Sequence, residues 1–118
     1  MLSDHIIAKI AHVVYAAVRV WKLENGETDI PEWEAADTET RDVVTARAIR
    51  VLSDARAGDS TFHNEWMVEM AGKGWTFAKV YDERRKTDPM MAPFHLLPYE
   101  HQAKERLLRA VVLSLSRI

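Results

Sequence analysis

The stretch Ile6-Ile7-Ala8-Lys9-Ile10-Ala11-His12-Val13-Val14-Tyr15-Ala16-Ala17-Val18-Arg19-Val20-Trp21 brings an apolar residue round every three or four positions, at Ile6, Ile7, Ile10, Val13, Val14, Ala17, Val18 and Trp21. A helix gathers such positions onto one broad face, the kind that packs into a helical core. Ser3 stands where a hydroxyl can accept one of the orphan N–H groups of the first turn, and Asn25-Gly26 supplies a stop. Lys9, His12 and Arg19 interrupt the run well before ~18 consecutive apolar residues accumulate, and no basic leader precedes it. The expectation is therefore an amphipathic core helix, neither signal peptide nor membrane span.

Outward from that helix, residues 27–36 are polar and contain Pro31, which reads as an ordered connection pinned by Trp33. Asp37 or Thr38 caps a second helix carrying Val43, Val44, Ala48, Val51, Leu52 and Ala55, with Gly58 at the expected left-handed terminus. Ser60 or Thr61 opens a third helix with Phe62, Trp66, Met67, Met70 and Ala71 in helical register, broken at Gly72 and Gly74. The aromatic and β-branched segment Trp75 to Tyr81 predicts an extended strand, paired with Met90 to Phe94 in a small two-stranded β-ribbon. Asp82 to Asp88 forms the charged turn, and Pro89, Pro93 and Pro98 keep the return out of helix. Pro98 suits the first position of a last helix with Tyr99, Ala103, Leu107, Leu108, Val111, Val112 and Leu115 on one face. The expected fold is a single mainly α domain over residues 1–118, four helices with a β-ribbon between the third and fourth.

Composition narrows the function. With 47% apolar and 29% charged residues, the 118-residue chain is globular rather than disordered. A net charge of -2 gives no electrostatic reason to expect nucleic acid or an anionic membrane as partner. The absence of cysteine excludes disulfides, thiolate metal sites and a cysteine nucleophile, and a cytoplasmic setting is expected. Ser53, Ser60, Glu65, Glu69 and Asp82, scattered among His63 and His95, form no recognisable nucleophile–base or paired-carboxylate arrangement, and no Gly-rich phosphate loop is present. The expectation is no enzyme and no cofactor. His63 has no second histidine at metal-pair spacing on its helix, and His95 and His101 flank Pro98 across a change of structure, so no metal is expected.

A family pattern joins these pieces. His63 and Trp66 are followed by Gly74-Trp75-Thr76-Phe77-Ala78, Tyr81-Asp82, Lys86-Thr87-Asp88-Pro89, Pro93-Phe94 and Leu97-Pro98. Their order and spacing resemble the RyR domain, the repeat of ryanodine receptors that also occurs as a single-copy bacterial or phage module. Ile10-Ala11 and Pro31-Glu32-Trp33 extend the resemblance to roughly residues 6–112. The chain departs from the family where Ala78 replaces glycine, Asp88 histidine, Phe94 tyrosine and Tyr81 lysine, so the apolar scaffold fits better than the polar positions.

The resemblance implies a binding module with a cleft for an adenine or signalling nucleotide, and candidate ligand residues Trp75, Phe77, Lys79, Asp82, Arg85, Lys86 and Phe94. Trp75 would stack on the base, while Lys79, Arg84, Arg85 and Lys86 would supply phosphate donors. The other reading of the same residues makes Trp75 a core side chain and Arg84-Arg85-Lys86 a solvated turn. A second function class is assembly: a lone copy forms a homodimer, motivated by Ile7, Val14 and Val18 widening the apolar face of Ile6, Ile10, Val13 and Ala17.

Overall fold

The computed structural model describes residues 2–118, and among these the chain forms four α-helices: α1 (Asp4–Glu24), α2 (Thr38–Ser53), α3 (Thr61–Gly72) and α4 (Tyr99–Leu115). Short 3₁₀ turns lie at Trp33–Ala35 and Phe94–Leu96. The described residues divide into two compact units, one of residues 2–57 with 103–118 and one of residues 58–102.

In the first unit α1 begins as expected, with the Ser3 hydroxyl accepting the Ile6 N–H at 3.2 Å. It ends in a Schellman turn: Gly26, at φ 92°, donates to the Leu23 carbonyl and Glu27 to that of Lys22. Ile10, Ala11 and Val14 are buried on α1, Ala48 and Val51 on α2, and Val112 on α4. Ile7 and Val18 are only partly covered, whereas Ile6, Val13, Val20 and Leu23 are exposed. The apolar surplus of α1 is thus a different stripe from the one expected.

Trp33 pins the connection between α1 and α2. Its ring stacks on His12 with centroids 5.5 Å apart, meets Tyr15 edge-on and lies 5.3 Å from the Arg41 guanidinium carbon. Arg41 also donates to the carbonyls of Trp33 and Glu34, so one side chain fastens both ring and backbone. Asp37 caps α2, its Oδ1 accepting the Thr40 N–H at 2.7 Å. Hydrogen bonds from Thr40, backbone first and side chain second, hold the Asp37 carboxyl below the usual carboxylate range. The cap is fully formed above the unfolded-state value and is lost as pH falls through the lowered one.

At the far end α2 stops at Ser53, five residues before Gly58, which is not left-handed. The Ser53 hydroxyl donates to the Arg50 carbonyl and the Asp54 backbone N–H turns to that of Val51, so one short polar side chain ends the helix by taking a carbonyl that the next turn would use.

In the second unit, Gly74 at φ 92° closes α3 with another Schellman turn: Gly74 donates to the Ala71 carbonyl and Trp75 to that of Met70. The β-ribbon expected next is absent: no strand or sheet occurs among the described residues, and the fold is all-α. Only isolated bridges form, Thr76 with Thr87 and Asp82 with Thr87. The would-be second strand is consumed locally. Asp88 takes the Met90 N–H on its side chain and the Met91 N–H on its carbonyl, Pro93 has no N–H to give, and Phe94 enters the 3₁₀ turn.

Around that segment Phe62, His63, Phe94 and Leu97 are buried. The first turn of α4 starts at Tyr99, one residue after the proline expected to open it, with the Pro98 carbonyl accepting from Gln102. Tyr99, expected on the core face, is exposed.

Candidate functional site

The loop from Trp75 to Asp88 holds six of the seven residues expected to bind a ligand. Its geometry follows from Thr87. The Thr76 N–H donates to the Lys86 carbonyl and the Asp88 N–H to that of Thr76, while Asp82 and Thr87 exchange both backbone bonds at 2.9 and 3.0 Å. The Thr87 hydroxyl adds a bond to the Val80 carbonyl at 3.0 Å. A side of the loop is thereby cinched at each end, and the aromatic segment is held out on the surface.

Trp75 is half-buried, and its ring lies 5.7 Å from that of Tyr81 at an interplanar angle of 31°. Tyr81 is the residue that sequence reasoning left out of the site. Alternation was the available signal, since a strand through Trp75, Phe77 and Lys79 would have placed Tyr81 on the same face. Phe77 is 56% exposed, Tyr81 58% and Val80 73%, an unusual concentration of uncovered apolar surface.

The charged candidates divide by what already holds them. Asp82 accepts the Arg85 N–H on Oδ1 at 3.1 Å and lies 3.8 Å from the Arg85 Nε through Oδ2, which makes it a turn-former. Lys86 adopts φ 56°, and its ammonium donates to the Lys73 carbonyl at 2.8 Å, covering the C-terminus of α3. Lys79 and Arg84 are exposed on the same loop. Replacing Lys86 by alanine is therefore expected to lower stability by about 0.5–1.5 kcal/mol, a hydrogen-bond loss, measurable by urea denaturation. Unchanged stability would return Lys86 to the role of a free phosphate donor.

Phe94 is not brought to the loop surface. It is 6% exposed, with its ring 6.1 Å from that of His63. His63 itself is buried, stacked 5.5 Å from Trp66, and its Nε2–H donates to the Ala92 carbonyl at 2.6 Å. The motif histidine and Phe94 thus clamp the proline-rich return.

These features define an all-α module whose conspicuous surface is an aromatic pair on a cinched loop of mixed charge. The chain belongs to the RyR domain family, whose model matches residues 33–115. The match begins at Trp33, so α1 lies outside it. No curated protein is detectably similar to the chain. Among the described residues no helix is long and apolar enough to cross a membrane.

Proposed function

We propose that the chain is a non-catalytic, cytoplasmic binding module that takes a flat anionic ligand of the adenine or signalling-nucleotide type on the Trp75–Tyr81 surface. The observation that carries this reading is the aromatic pair, partly exposed yet anchored: the Trp75 N–H is fixed to the end of α3 and the loop beyond it is cinched at Thr87. A base gains about 1–3 kcal/mol by stacking on an aromatic ring already held in place. Lys79, Arg84 and Arg85 on the same loop supply the cations that phosphate requires. Titration with a panel of adenine mononucleotides and cyclic nucleotides is expected to quench tryptophan fluorescence and raise the melting temperature. Silence across the panel in both measurements removes the reading.

A specific observation also favours assembly as a second reading. Ile6, Val13 and Val20, each seven residues from the next and all exposed, run along α1 with exposed Leu23. A seven-residue apolar repeat is the seam by which one helix packs on another, and a second copy carries the same seam. Light scattering at tens of micromolar is expected to show a dimer that Val13→Glu converts to a monomer; a monomeric parent protein sinks it.

A further inference from the structure

The first unit contains a cleft of about 450 Å³ that none of the loop residues enters. Its walls are apolar: Val14 and Val18 come from α1, Val43 and Val44 from α2, and Leu108 from α4. The volume falls within the range of small-molecule sites, roughly 300–1,000 Å³, and the combination of apolar wall with a few charged groups is what such sites require.

The charges of this cleft are unevenly matched. Arg19, Lys22, Arg47 and Lys104 line it against two carboxylates, Glu39 and Glu105. Glu105 is paired with Arg47, and the Arg19 Nε donates to the Ile30 carbonyl at 2.8 Å. The Tyr15 hydroxyl is likewise committed, to the Pro31 carbonyl at 2.5 Å. That leaves two ammonium groups, of Lys22 and Lys104, and one carboxylate, of the exposed Glu39, without a hydrogen bond or ion pair among the described residues. Both lysines are partly withdrawn from solvent.

We propose that this cleft binds a small amphiphilic organic anion, its head between Lys22 and Lys104 and its apolar body against Val18, Val43 and Leu108. Two cations beside an apolar wall carry a cost in the empty protein, because water is partly removed and none of the nearby carboxylates forms an ion pair with either. Burial, followed by the charge of Lys22, pushes the Lys104 ammonium below its ordinary pKa, against the opposing pull of Glu105 and Glu27. An anionic head relieves both effects at once. A carboxylate and a phosphate monoester share the chemistry required, whereas an amine of the same chain length meets like charge. The cleft lies in the first unit and Trp75 in the second, so this site stands or falls separately from the nucleotide reading.

The probe is the fluorescent anion 1-anilinonaphthalene-8-sulfonate, competed by octanoate, octyl phosphate and octylammonium, on the full chain. Octanoate or octyl phosphate is expected to displace the dye while octylammonium does not, and the tighter of the two anions identifies the head group. Lys104→Met should weaken anion binding at least tenfold, and Lys104→Arg should keep it within threefold. Val43 is 59% exposed, so Val43→Glu leaves the core intact and places a repelling carboxylate in the cleft; it should abolish dye binding with an unchanged circular dichroism spectrum. Displacement by octylammonium as effective as by octanoate, or unchanged anion affinity in Lys104→Met and Val43→Glu, overturns the proposal.

Discussion

Replacing His63 by alanine is expected to cost about 2–4 kcal/mol, the sum of a lost hydrogen bond at a partly buried carbonyl and a cavity where the ring stood. The ring is buried between Trp66 and Phe94, and its Nε2–H occupies the Ala92 carbonyl. Removing it withdraws the donor from that carbonyl and the packing partner from both aromatics. For a domain with a total stability of about 5–15 kcal/mol, such a loss is a large fraction of the whole. His63→Phe restores the volume but not the donor and should cost less, about 1–3 kcal/mol. Urea denaturation of the three proteins checks the order; equal midpoints for the parent protein and His63→Ala would show that the clamp adds nothing.

The second large effect is on binding. Trp75→Ala should weaken nucleotide affinity about five- to 150-fold, which is the stacking contribution of about 1–3 kcal/mol expressed as an equilibrium ratio. Tyr81→Ala should weaken it less, since Tyr81 supports the indole at 5.7 Å. Both variants should still melt cooperatively, because the loop is closed by the backbone bonds of Thr76, Asp82 and Thr87. A Trp75→Ala protein that is insoluble would instead make Trp75 a core residue, in agreement with the other reading of its sequence.

Helices were legible because their signals are local. The periodicity of α1, the Ser3 and Asp37 caps and the positive-φ stops at Gly26 and Gly74 each act within about one turn of the chain. Gly58 misled for the complementary reason: a glycine near a helix end is permitted a left-handed conformation without being compelled to adopt it, and Ser53 and Asp54 had already ended the helix. The ribbon failed because strand propensity describes one segment, while pairing needs a partner with free N–H groups. Asp88 and Pro93 deny it that partner, and Thr87 closes the loop instead.

The candidate site was legible as a neighbourhood and not as a set of roles. Trp75, Phe77, Lys79 and Arg85 lie on one cinched loop, but Lys86 is tied to the end of α3 and Phe94 is packed on His63. A basic residue's sequence position says nothing about which carbonyl its ammonium finds. The cleft in the first unit was invisible to motif reading because it is assembled from α1, α2 and α4, residues up to 94 positions apart, from Val14 to Leu108, with no spacing to betray it.

The central claim is that ligand recognition occurs at Trp75 and not at the other three tryptophans. Incorporation of 5-fluorotryptophan gives one fluorine resonance for each of Trp21, Trp33, Trp66 and Trp75, assigned by single substitution to phenylalanine. On titration with the nucleotide that gives the largest thermal shift, the Trp75 resonance should move in proportion to saturation while those of Trp21, Trp33 and Trp66 stay in place. A shift confined to any of those three, or a Trp75 resonance indifferent to saturating ligand, would contradict it.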